Sequence, residues 1–269
     1  TIEIRSEMGG TWSRGGMEAY DGATVTNTGT IKAYTTLYGA AMLANQGSMA
    51  VNEGVVETYM DNSHAMQAIS DSGIVNLFGG SILTSGDNSY GMYAYTASSA
   101  DNYGTVVTSG DGSHGMVAEN ESVARNYLDI TTHGDNAYGM LAFNSSEVHN
   151  ILAAETIETW GAGSHGMVAD TDSYAYNDGS IITHGDGAYG MYAVNASSAD
   201  NYGDIETFGA GSHGMVISGD SDGYNEGTVT VSAGSDAVHV LGGSRFINAG
   251  ELDAPEDRSA VVASDGSSV

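Results

Sequence analysis

The sequence predicts an all-β chain wound as a right-handed parallel β-helix, a solenoid of about ten to eleven coils of 24–27 residues with three short strands per coil. Three observations predict it. A Met returns at Met17, Met42, Met66, Met92, Met116, Met140, Met167, Met191 and Met215, with Val240 and Val261 read into the next two slots. An Asn follows each Met by ten residues, at Asn27, Asn52, Asn76, Asn102, Asn126, Asn150, Asn177, Asn201 and Asn225, and Asn248 closes the series. Between these marks the apolar residues alternate at period two. A helical solenoid is excluded by 39 Gly, abundant Thr and Val, and the lack of any sustained apolar spacing of three and four. The paired leucines of leucine-rich repeats and the Gly-Gly-x-Gly-x-Asp unit of calcium-binding rolls do not recur.

Within the unit 102–126, Val106 and Thr108 share parity and recur as Ile130/Thr132, Ile157/Thr159, Ile181/Thr183 and Ile205/Thr207, which makes a strand with one inward face. After the turn Gly110-Asp111-Gly112-Ser113 comes His114-Gly115-Met116-Val117-Ala118. Met and Ala hold from copy to copy while the residue between them changes among Glu18, Gln67, Tyr93 and Val168, so Met and Ala face in. The third strand, Ser122-Val123-Ala124-Arg125-Asn126, repeats as Ser98/Ala100/Asn102, Ser146/Val148/Asn150, Ser173/Ala175/Asn177 and Ser197/Ala199/Asn201. Gly, Asn, Asp and Ser supply the corners. The right hand is inherited from the general rule for parallel crossovers.

Coils stacked about 4.8 Å apart turn equivalent residues into ladders of Met, Thr and Asn, and the Asn column is expected to hydrogen-bond along itself. One coil cannot stand alone. Its four or so inward apolar side chains contribute roughly 1.5–3 kcal/mol each, against about 1–2 kcal/mol per residue to order the backbone. Stability is therefore cooperative along a rod roughly 50 Å long. Residues 1–269 read as one domain, and as a piece of a longer repetitive protein. Extra residues near Leu77–Gly80 and Ile151–Ala154 predict bulges at one corner.

The formal charge of −28, from 34 acidic against 6 basic residues, disfavours nucleic acid and anionic membrane surfaces as partners. Cys is absent, which suits passage through an oxidising compartment. No run of 18 apolar residues exists, so this segment inserts in no membrane.

The units Gly86 to Ala94, Gly110 to Ala118, Gly134 to Ala142 and Gly185 to Ala193, with their [Tyr/His]-Gly-Met-x-Ala core, resemble repeats in passenger domains of bacterial type V autotransporters and related surface adhesins. The resemblance implies a β-helix at the bacterial cell surface, outside the cell and anchored to the outer membrane through a C-terminal barrel not present here. It also implies adhesion or self-association, as in aggregation and biofilm, and carries no site motif with it.

The site candidates are columns. Ahead of each Met stands an alternation of Tyr38, His64, Tyr90, His114, Tyr138, His165, Tyr189 and His213, with like rings about 9.6 Å apart, two coil rises. A structural ring stack is the favoured reading of it. A row expected to be outward and apolar, Tyr93, Val117, Leu141, Val168, Tyr192 and Val216, and outward aromatics at Tyr34, Tyr59, Trp160 and Phe208, form the candidate interaction face. Asp87, Asp111 and Asp135 on successive coils are candidate calcium ligands. No other cofactor is implied.

Acidic residues are spread around the turns, basic partners are scarce, and no coil stands out, so no catalytic residue is assigned. The expectation is a non-enzymatic rod that contacts its own copies or a host surface protein or glycan. The alternatives are a filament subunit joined end to end and a β-helix that binds or processes polysaccharide.

Overall fold

Period-two alternation in each third of the repeat becomes a strand of three to six residues, paired in parallel with the equivalent strands of the adjoining coils. A computed structural model of the chain describes residues 2–4, 16–34, 40–232 and 234–269; Tyr38 lies outside them. Among the described residues there is no helix, and three sheets of eleven, eleven and ten strands make a β-solenoid of about ten turns. In one coil the chain crosses the first sheet at Thr105–Thr108, the second at Met116–Glu119 and the third at Val123–Asn126, then re-enters the first at Ile130–Thr132.

Register places like on like. Met92, Met116 and Met140 pair in sequence, as do Ala94, Ala118 and Ala142, and Asn102, Asn126 and Asn150. The Met side chains of the second-sheet ladder, from Met42 and Met66 to Met215, are fully buried, packed with the Ile and Val of the first sheet and the Ala of the second and third, with Phe246 among them in the tenth third-sheet strand, whereas Met49 and Met60, outside that ladder, are exposed. The Met slot continues through Val238 rather than Val240. Met215 pairs with Val238 and Val238 with Val261, while Val240 lies opposite Ile217 in the Ala slot. Asn225 and Asn248 are 23 residues apart, so this coil is one residue short of 24, and the ten-residue offset counted back from Asn248 also lands on Val238.

The buried polar groups are paired by repetition too, the Thr58 and Thr84 hydroxyls excepted. Each Asn Nδ2 donates to the Asn Oδ1 of the following coil at 2.8–2.9 Å, unbroken from Asn27 to Asn248. The Ser that opens each third strand accepts the backbone N–H of its counterpart in the preceding coil, from Ser72 through Ser244. Inward hydroxyls at Thr108, Thr132, Thr159 and Thr183 donate to the carbonyl five residues on. These bonds let a solenoid bury polar side chains without the cost of an unpaired group.

Two corners impose special backbones. The Gly of each [Tyr/His]-Gly-Met step is required by close approach: a Cβ at Gly139 would lie 2.6 Å from the Gly166 carbonyl oxygen and 2.2 Å from Ile157 Cγ2. Between the second and third strands, consecutive residues occupy the left-handed region, as at Thr96 and Ala97 (φ 57° and 56°) and Asn195 and Ala196 (φ 57° and 61°). The extra residues after Asn76 and Asn150 form the expected bulges, each closed by a turn, Gly80 N–H to the Leu77 carbonyl and Glu155 N–H to the Leu152 carbonyl. Phe78 stands 87% exposed on the first of them.

Candidate functional site

On the outer side of the second sheet each strand offers two side chains, those after Met and after Ala, and the corner ring lies ahead of the strand. The row after Met is not the open apolar stripe that parity predicts. Val117, Val168 and Val216 are buried at 3–5% exposure, while Tyr93, Leu141 and Tyr192 are half-buried. Larger neighbours on the same face cover it. Tyr90 meets Tyr93 edge-on at 5.6 Å, Tyr189 meets Tyr192 at 5.7 Å, and His165 meets Tyr192 at 5.6 Å.

The result is a groove of about 370 Å³, with Val117, Leu141 and Val168 among its lining and Tyr93 and Tyr192 toward its two ends. Tyr90 and Tyr138 of the corner ladder line it ahead of this row. Glu119, Phe143, Asp170 and Val194, the outward residues after Ala, line it on the other side. The Tyr93 hydroxyl donates to the Glu119 carboxylate at 2.5 Å; burial and that bond push the phenol far above its usual range. Apolar lining edged by a few fixed polar groups is the ordinary chemistry of a binding groove.

The wall of alternating rings has a definite bond pattern. From His64 to His165 consecutive rings stack at 4.6–5.0 Å. His64 Nδ1 accepts the Tyr90 N–H, His114 Nδ1 the Tyr138 N–H, and His165 Nδ1 the Tyr189 N–H, at 2.9–3.0 Å. A Tyr ring has no acceptor in that position, so at this corner the His coils supply an acceptor to the Tyr coils that follow. Burial lowers the imidazoles of His64 and His165 to about 4 and that of His114 to about 3, keeping them neutral. This role for the alternation is not legible from the sequence, because it depends on which ring nitrogen faces the next coil.

The first-sheet aromatics are exposed, Tyr34 and Tyr59 at 38–40%, Trp160 at 47% and Phe208 at 53%. They form two separate stacks: Tyr34 on Tyr59 at 4.7 Å, and Trp160 on His184 at 3.9 Å with Phe208 beyond at 5.3 Å. Ser85 and Ser109 interrupt the column between them. A further stack, Tyr103 on Tyr127 at 4.4 Å, escaped sequence reading although its signal, a Tyr following the ladder Asn, is plain in Asn102-Tyr103 and Asn126-Tyr127.

In the candidate calcium column one oxygen of each carboxylate is bonded to backbone. Asp87 Oδ1 accepts the Asp111 N–H, Asp111 Oδ1 the Asp135 N–H, and Asp135 Oδ1 the Ala162 N–H, at 2.8–2.9 Å. Each carboxylate is thus anchored to the next coil, and an Ala closes the series because only its N–H is needed. Among the described residues, the only group of three or more His, Cys, Asp or Glu with donor atoms close enough to share an ion is His213, Asp236 and His239. Three of the described cations are committed to carboxylates, Lys32 to Glu57 at 2.6 Å, Arg125 to Asp101 at 3.3 Å and Arg245 to Asp222 at 3.0 Å.

The family model for the BigA third pectate lyase-like domain matches residues 2–151 and again residues 139–268. No curated protein and no solved structure matches the chain.

Proposed function

The chain belongs to the family of the BigA third pectate lyase-like domain, a β-helical repeat domain, and within that fold we propose that its work is contact, not catalysis. The observation that carries this reading is the groove on the second sheet, with its apolar lining beside a rigid ring ladder. The domain acts as a rod at the bacterial cell surface, in adhesion or self-association, and the groove receives an apolar and aromatic strip of a second copy or of a host protein. Three features weigh against lyase chemistry on an acidic polysaccharide. The chain carries −28, three of its described cations are held by carboxylates, and one oxygen of each carboxylate in the Asp column is engaged by a backbone amide. A neutral glycan laid along the exposed Trp160 and Phe208 rings, with the half-buried His184 between them, is the second reading, favoured by the exposure of those two aromatics.

Sedimentation velocity over a wide concentration range tests the proposal. Concentration-dependent association that Leu141→Asp abolishes, with an unchanged strand circular-dichroism spectrum, supports self-contact through the groove. Leu141 is the right position because it is half-buried, whereas Asp at Val117 or Val168 would unfold the coil. A strict monomer removes self-association. Depolymerisation of an acidic polysaccharide by the purified chain would overturn the non-catalytic reading.

A further inference from the structure

Toward the C-terminal end of the second sheet the repeat departs from its own rules at neighbouring positions. Ahead of the Met slot every coil from His64 to His213 carries a ring; the next coil carries Asp236. After the Met slot the row is apolar from Tyr93 to Val216; the residue registered on Val216 is His239. These departures meet in space. The His213 and His239 rings stack at 3.9 Å, Asp236 Oδ2 lies 2.8 Å from His239 Nε2 and 3.9 Å from His213 Nδ1, and the three donor atoms fall within 4.8 Å of one another.

We propose that His213, Asp236 and His239 bind one divalent transition-metal ion of the zinc type, at the end of the same sheet face that carries the groove. Two imidazoles and one carboxylate suit Zn²⁺, which takes nitrogen and oxygen ligands at close to tetrahedral angles, and do not suit Ca²⁺, which takes six to eight oxygens. Three protein ligands leave a fourth position for water or for a donor from a partner. The carboxylate is already positioned: Asp236 is 7% exposed and its Oδ1 accepts the Ser259 N–H at 2.9 Å. His213 turns its Nδ1 toward the site, 3.9 Å from Asp236 Oδ2. Its Nδ1 accepts the Asp236 N–H at 3.0 Å, and the two rings lie at 23° to each other. Loading therefore exchanges that hydrogen bond, and the one between His239 Nε2 and Asp236 Oδ2, for metal bonds, with the His239 ring proton carried on Nδ1. The proposal is independent of what the groove binds.

The chain, stripped with a chelator and dialysed, is titrated with Zn²⁺ alone by calorimetry and with Co²⁺ by visible absorption. The expected result is one ion per chain, an intense tetrahedral Co²⁺ spectrum, and at least 100-fold weaker binding in His239→Gln. Asp236→Asn keeps an oxygen for the Ser259 N–H and serves as a second loss-of-binding variant. His133→Gln, at an exposed histidine outside the cluster, is expected to bind like the wild type. Absence of Zn²⁺ binding, equal affinity in His239→Gln with its fold intact, or several weak equivalents spread over the acidic surface would each overturn the proposal.

Discussion

The Nδ1 atom of His114 accepts the backbone N–H of Tyr138, one coil further on, at 3.0 Å. The imidazole is buried, so the amide has an acceptor where water is excluded. His114→Phe keeps a ring in the stack and removes the acceptor. It is expected to cost about 1–3 kcal/mol, the penalty of a buried unpaired donor. Tyr138→Phe, which leaves the backbone bond alone, is expected to fall within about 0.5 kcal/mol of the wild type. Urea unfolding of the two variants checks the contrast.

The same rings predict a pH dependence. Their folded pKa values, about 4 for His64 and His165 and about 3 for His114, lie below the unfolded value near 6.5. The unfolded chain therefore binds more protons than the folded chain between about pH 6.5 and 4, and stability falls as pH falls through that window. Between pH 7 and pH 5 each ring is expected to withdraw about 2 kcal/mol. Relief of acidic repulsion works in the opposite sense, so the test is the difference between wild type and His114→Gln. The variant should show the shallower loss of denaturation midpoint on acidification.

Asn126 stands mid-ladder, fully buried, accepting from Asn102 and donating to Asn150. Asn126→Ala leaves the Asn102 donor and the Asn150 acceptor unpaired, and is expected to cost about 2–4 kcal/mol. Asn248→Ala, at the exposed C-terminal end of the ladder, should cost about 1 kcal/mol. Equal losses in thermal unfolding would contradict a cooperative ladder.

Gly139→Ala sets a methyl against backbone that cannot rotate away, 2.6 Å from the Gly166 carbonyl oxygen. Forcing the coils apart there is expected to cost about 3 kcal/mol. Ala196→Gly, at a left-handed corner with φ 61°, is expected to raise stability by up to about 1 kcal/mol by relieving Cβ strain. Chemical denaturation of both variants measures the two effects with opposite sign.

The repeat made the fold legible because stacking forces each inward position to be chosen again in every coil. Met116 in, Val117 out and Ala118 in follow from variation alone. Exposure of Val117 does not, since it depends on how far the Tyr90 and Tyr138 rings reach across the face, and no spacing rule contains ring reach. The Asp87–Asp111–Asp135 column was visible, but its bonding to backbone amides was not, because a carboxylate in a turn reads the same whether it faces an amide or an ion. The His213, Asp236 and His239 cluster lay hidden for the opposite reason. Asp236 and His239 sit in slots that elsewhere hold a ring and an apolar residue, so a search for recurring columns finds His213 and passes over its two partners.

Every side-chain amide in the Asn ladder donates in one direction, from the N-terminal coil to the C-terminal one, from Asn27 Nδ2 onward to Asn248 Oδ1. The column is a vector, with its amide dipoles adding and its two ends chemically unlike. Another solenoid of this sequence could extend the ladder only by meeting it head to tail, since two like ends would set donor against donor or acceptor against acceptor. Contacts related by a two-fold axis are left to the flanks of the rod, where the groove and the exposed rings lie.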